Sequence, residues 1–337
     1  MEKFELPFNN IVGGKQKNKD DVKENWKKES DEFLRKNEFK YAGLEKNLTK
    51  DEVLEIEKIK HGVNDIAQYY GATKKLSPKI IILEPGSVYK ITQGKFKSGV
   101  CSPYMRRIMV DSCESKLDFA TTLAHEMFHM SEYTSLIFSQ ETDDTELRRA
   151  GISIFGKDGE TVYFANIEEA LIAEAVQDFV NQYLRKNPQF VDEIKKTDFV
   201  KNWLGKFYDY ADVPKEKQKE FLDSVYSFPD IDNLIERLNG NDNEEFKFGF
   251  LNGYLRTMFE NDDVVMRERM DERKKLDSLV DMILSSSENE YTSRKEIVDV
   301  FMRANFSGKL LPLARLIEKS LGKGSFRSIG ADSSVIK

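Results

Sequence analysis

Two histidines one helical turn apart, with a glutamate between them, constrain this chain more than any other feature. They stand in Leu123-Ala124-His125-Glu126-Met127-Phe128-His129-Met130. Residues four apart share a face of an α-helix, so a helix here aims two imidazoles at one point. The run from Asp118 to Phe138 holds no Pro or Gly and carries apolar residues at helical spacing, among them Ala120, Leu123, Ala124 and Phe128. It reads as one helix. Imidazole nitrogen suits zinc, which it binds at about 2.0–2.1 Å. Glu126 lies roughly 100° round the helix from His125. That sets its carboxylate beside the ion rather than on it, where it can take a proton from an activated water. The chain has three histidines and two of them fall in this motif, which separates it from an ordinary amphipathic helix.

The segment Thr122–Met130 resembles the active-site helix of the zincin metallopeptidases. The metzincin branch requires His-Glu-x-x-His-x-x-Gly-x-x-His and is excluded, because Glu132 and Ser135 stand at the last two positions. The resemblance is to the gluzincin branch, over roughly residues 50–187. It implies an α+β fold in which a small mixed sheet packs on the His-Glu-x-x-His helix and on a later helix carrying a third ligand. It also implies one zinc per chain, a peptide or protein substrate, and hydrolysis of peptide bonds with Glu126 as general base. An oxyanion-stabilising side chain is expected too, and Tyr104, Tyr133 and Tyr163 are equal candidates for it.

The third ligand should be a glutamate on the helix Ile167–Leu184, which Asn166 is placed to cap. Two residues compete. Glu174 opens Glu-Ala-Val-Gln-Asp178, which resembles the thermolysin-type Glu-Ala-x-x-Asp, where the Asp orients a ligating histidine. Against it, Glu174, Gln177, Asp178, Asn181 and Arg185 form one polar stripe that reads as a solvated face. Glu169 instead shares a stripe with Ile172, Ala173, Val176, Val180 and Tyr183. A carboxylate opening an apolar face is costly unless paired, and a metal would pair it. The segment Ile167–Leu171 also resembles the Leu-Asn-Glu-Gly/Ala-Leu segment of small gluzincins, in which the second acid is the ligand. Glu169 is therefore favoured, Glu174 is the alternative and Glu168 ranks last.

Around this core the chain reads in four parts. Residues 1–48 form a charged N-terminal extension, with a candidate helix over Asp20–Lys36 carrying Val22, Trp26 and Phe33–Leu34. The zincin-like domain spans residues 49–187. Thr49-Lys-Asp-Glu52 is a capping box opening a helix that stops at Gly71. His61 on that helix reads as an ordinary surface or core histidine. Lys79–Glu84, Val88–Lys97 and Tyr104–Asp111 read as strands; the gluzincin resemblance implies that the last is the sheet edge lining the cleft, and a strand with merely structural pairing is the equal alternative. Cys101 and Cys113 flank it and read as buried structural thiols rather than as a thiolate ligand. Glu141–Glu146 reads as an acidic loop, and Gly151–Phe155 with Thr161–Phe164 as a hairpin. Residues 188–322 form a helical domain, with helices at Val191–Tyr210, Lys215–Ser227, Ile231–Leu238, Glu244–Glu260, Val264–Leu284, Ser293–Ala304 and Leu310–Leu321. Residues 323–337 read as a flexible tail.

Composition bounds the function classes. A net charge of −7 implies no general attraction to nucleic acid or anionic membrane. Two cysteines make no disulfide framework, and no secretory leader or membrane span stands out, so the expected compartment is cytoplasmic. The reading is a zinc metallopeptidase. The alternative is a binding or regulatory protein on a zincin scaffold, with the helical C-terminal half holding the partner. The intact Glu126 favours the enzyme, since a scaffold has no need of that carboxylate.

Overall fold

The computed structural model describes residues 9–12, 19–37, 43–73, 78–96, 98–102, 107–138, 145–156, 158, 161–215, 218, 221–222, 225, 228, 230–260, 270–286, 290–332 and 335–336. The fold is mixed α and β, with two small sheets among many helices. It divides into two compact units. The first comprises residues 1–112, 122–179 and 271–337, and the second residues 113–121 and 180–270. Residues 271–322, read from sequence as part of the helical domain, and 323–337, read as a flexible tail, both group with the first unit.

In the first unit, α1 (Lys19–Asn37) and α2 (Lys50–Tyr69) precede β2 (Lys79–Leu83), α3 (Ser87–Ile91), β3 (Gly99–Ser102) and β4 (Arg107–Asp111). Thr49 caps α2 as its sequence predicts: its side chain accepts from Glu52 N, and Glu52 Oε2 accepts from Thr49 N at 2.7 Å. The three-stranded sheet runs β2-β4-β3, with β2 parallel and β3 antiparallel to β4. The strand ending at Asp111 is therefore central, not the cleft edge, and every residue of β4 is buried as a central strand's should be. The edge beside it is β3. In place of the strand expected over Val88–Lys97, residues 88–91 lie in a short helix. Asp111 accepts from the backbone N–H groups of Gly86 and Val88, each at 2.9 Å, which fixes the turn that starts α3.

The expected helix over Asp118–Phe138 divides. It runs as α4 (Lys116–Ser131) and gives way to β5 (Thr134–Phe138). Thr, Ile and Phe after Tyr133 suit a pleated surface. Leu136 buries against Ile11, Val22 and Trp26. β1 (Asn10–Val12) lies parallel to β5, and β6 (Thr145–Ala150), β7 (Ser153–Phe155), β8 (Thr161–Tyr163) and β9 (Val335–Ile336) follow in antiparallel order. Asn10–Val12, read as part of the N-terminal extension, and Val335–Ile336, read as part of the tail, thus both enter this sheet. Ser325–Asp332 forms a helix in which Phe326 packs on Phe164, with ring centroids 4.8 Å apart. The hairpin of β7 and β8 stands as predicted. Most of the acidic loop at 141–146, the side chains of Phe33 and Leu34, and Tyr104 lie outside the described residues.

α5 (Ala165–Phe179) follows Phe164, whose φ is +63°, so Asn166 lies inside the helix rather than capping it. Later helices of this unit are α9 (Met270–Leu284), α10 (Arg294–Ser307) and α11 (Leu310–Leu321). Ser293 and Glu296 form the expected capping box on α10.

The second unit holds α6 (Val191–Tyr210), α7 (Ile231–Asn239) and α8 (Glu244–Glu260). Its core includes Val200, Leu204, Phe228, Leu234, Leu238 and Leu251. Glu193 caps the first turn of α4, accepting from Leu117 N at 2.9 Å and Lys116 N at 3.1 Å. Residues 264–269 and parts of 215–227 lie outside the described residues.

Candidate metal centre

α4 and α5 bring three of the predicted residues together. Nε2 of His125 lies 3.1 Å from Nε2 of His129. Oε2 of Glu169 lies 3.6 Å from the first nitrogen and 3.4 Å from the second. An ion bound at 2.0–2.1 Å with tetrahedral angles sets its donors about 3.3 Å apart. The triangle therefore fits zinc in both donor type and spacing. Two imidazole lone pairs and a carboxylate would otherwise repel, and a cation among them removes the conflict.

Glu126 is buried, and its carboxylate is not one of the three donors that meet here. Its carboxylate lies against the start of β3: a Cβ on Gly99 would fall 2.9 Å from Glu126 Oε1 and 3.0 Å from Thr122 Cγ2. Only glycine lets the strand approach the helix so closely. Cys101, two residues along β3, is half-buried, and Cys113 is exposed, so the expectation of two buried thiols fails for the second. Burial and the nearby Glu126 push the Cys101 thiol well above its ordinary value. It is thus a poor thiolate ligand.

Two further carboxylates stand behind His129. Glu168 Oε1 lies 3.1 Å from its Nδ1, and Glu132 Oε2 lies 3.6 Å from the same nitrogen. Both acids are buried. Asn305, on α10, donates from Nδ2 to Glu132 Oε1 at 2.6 Å and accepts from Ile152 N at 2.8 Å. Burial opposes a charge on His129, but Glu168, Glu169 and Glu132 outweigh it and hold the imidazole's proton affinity well above the usual. Burial, then Glu132, raises Glu168 well above the carboxylate range. Sequence reasoning weighed Glu168 only as the last-ranked third ligand and gave Glu132 no role. Adjacency to Glu169 was the available signal for Glu168, and the place of Glu132 one turn after His129 for the other.

The remaining candidates lie elsewhere. Glu174 takes Arg294 Nη2 at 2.9 Å, and Arg294 also reaches Asp277. Asp178 accepts from Tyr70 Oη at 2.8 Å instead of a histidine. The polar stripe is thus not a solvated face: α2 and α10 cover its first half. Beyond Phe179 the helix widens into a π-helical turn at Val180–Leu184, which shifts the phase and leaves Asn181 and Arg185 exposed. Tyr133 stacks under Arg149 at 4.8 Å, and Tyr163 is exposed on its hairpin strand. His61 is exposed and pairs with Asp65 at 3.0 Å. No family model, curated protein or solved structure matches the chain.

Proposed function

We propose that this chain is a zinc-dependent metallopeptidase of the gluzincin type, holding one zinc through His125, His129 and Glu169. The observation that carries the reading is the donor triangle at near-tetrahedral spacing with a glutamate next to it. Three protein donors leave a fourth position open, as in catalytic rather than structural zinc sites. When bound, zinc supplies a Lewis acid for the scissile carbonyl and lowers the pKa of water to about 7.

The chain's own residues do the rest. Glu126 takes the proton from the attacking water and delivers it to the leaving amine, so its carboxylate is restored at each turnover. β3, at the edge of its sheet, begins beside Glu126, and its outer backbone groups can receive an extended peptide as one more strand. That register would set a scissile bond alongside the general base. No described helix is long and apolar enough to cross a membrane.

Glu126→Gln separates this reading from a non-catalytic metal-binding protein. The variant is expected to keep zinc, because Glu126 is not one of the three proposed ligands, while peptide hydrolysis falls about 10²–10⁴-fold. A digest of a broad peptide library, paired with metal analysis, provides both readouts. Unchanged turnover would remove Glu126 from the chemistry, and the absence of any cleavage by the zinc-loaded protein would favour a binding role.

A further inference from the structure

α5 presents two consecutive carboxylates to one ring. Glu169 Oε2 lies 3.4 Å from Nε2 of His129, and Glu168 Oε1 lies 3.1 Å from its Nδ1. We propose that Glu168 and Glu132 are positioning residues that fix the tautomer and angle of His129, presenting Nε2 to the metal and keeping the proton on Nδ1. The proposal rests on the zinc reading above and names what makes that ligand competent.

Neutral imidazole carries one proton, on either nitrogen. Only an unprotonated Nε2 can serve as a ligand beside His125 and Glu169. An acceptor at Nδ1 selects that form, and a carboxylate there also strengthens the donor power of Nε2. Glu168 Oε1 is buried without an aligned donor and has Nδ1 within reach, so a small ring rotation completes the bond. Glu132 is the second acceptor, and it is not free to turn away. Asn305 grips its Oε1 at 2.6 Å while accepting from Ile152 N. Tyr133 N donates to the Asn305 carbonyl at 3.1 Å, so α10 is tied to the end of α4 by backbone and side chain together.

Gly151 closes the cage. It sits at φ +55°, and a Cβ there would lie 2.0 Å from Asn305 Oδ1 and 2.6 Å from Glu132 Oε1. The turn between β6 and β7 leaves room for this contact only because it has no side chain. The thermolysin-type pattern would have assigned the orienting role to Asp178, which is committed to Tyr70 instead. The acids that face His129 come from the residue before the third ligand and from the turn after the second histidine.

The test is a zinc competition titration of the full-length protein against a chromophoric chelator, with long-range ¹H–¹⁵N spectra of the histidine-labelled, zinc-loaded protein. His129 should coordinate through Nε2 and carry a proton on Nδ1. Glu168→Gln and Glu132→Gln should each weaken zinc binding about 10–100-fold and shift that Nδ1 proton, while His125 keeps its spectrum. If Glu168→Gln fails to fold, Glu132→Gln decides; if both fail, the wild-type tautomer decides. Wild-type affinity in the folded variants, coordination through Nδ1, or a second zinc on the Glu132–Glu168 side would each overturn the proposal. Failure of the underlying reading looks different: His125→Ala and His129→Ala would then bind zinc as the wild type does.

Discussion

Glu169 and Glu174 sit five residues apart, about 140° round the helix axis, and their surroundings separate them. One faces two imidazoles; the other is held by Arg294. Glu169→Gln is therefore expected to lose most zinc affinity in the same titration. Glu174→Gln should keep zinc and cost up to about 1 kcal/mol by chemical denaturation, because its ion pair is partly solvated. Zinc loss in Glu174→Gln with retention in Glu169→Gln would reverse the assignment. Gly151→Ala meets a left-handed backbone and two polar atoms at once. It should cost at least about 1–3 kcal/mol. At this scale the meeting of His125, His129 and Glu169 was legible, because their spacing and the apolar stripe around Glu169 are local. Glu132, Glu168 and Asn305 were not. Buried carboxylates are uncommon, and the Asn305–Glu132 bond joins residues 173 apart, which no periodicity reports.

Elements were legible where caps and period agree. The capping boxes at Thr49 and Ser293 open helices as read, and Val191–Tyr210, Glu244–Glu260 and Leu310–Leu321 match their predicted spans. Errors fell on short apolar runs that suit either state. Thr134–Phe138 carries a run compatible with continuing α4, yet two neighbouring strands claim it. Val88–Lys97 reads as a strand, yet its first residues lie in α3, whose first turn Asp111, a residue from another strand, fixes. The Thr49 cap predicts a pH dependence. Hydrogen bonds from Thr49 and Lys46 hold Glu52 down from 4.5 to about 2. Its folded value is depressed, so its contribution is complete above pH 4.5 and is lost as pH falls from 4.5 towards 2. In urea melts across that window, Glu52→Gln should flatten this part of the fall in stability. An unchanged slope would remove Glu52 from the acid response.

On the scale of the whole molecule, the first unit is discontinuous: residues 271–337 complete what residues 1–112 and 122–179 begin. Arg149 makes the dependence concrete, donating to the carbonyls of Gly308 at 2.8 Å and Ala304 at 3.0 Å. A fragment ending at residue 187 is thus expected to lack cooperative thermal unfolding and to bind zinc weakly, even though it carries all three donors. A cooperative, zinc-tight fragment would show that the last segment is dispensable. On the zinc reading proposed above, the ion binds only the folded state, so saturation at a hundredfold excess over Kd should add about 2.7 kcal/mol. A chelator should lower the melting temperature accordingly, and His129→Ala should abolish that difference.

The long span between Glu132 and Asn305 also places the centre in time. A ribosome adding about 5–20 residues per second takes roughly 9–35 s to cover those 173 positions. Throughout that interval the emerging chain carries its histidines without the asparagine that steadies Glu132. On the zinc reading proposed above, tight capture then waits until Asn305 has been added. Nascent chains arrested before residue 290 should accordingly retain far less zinc on dilution than released ones.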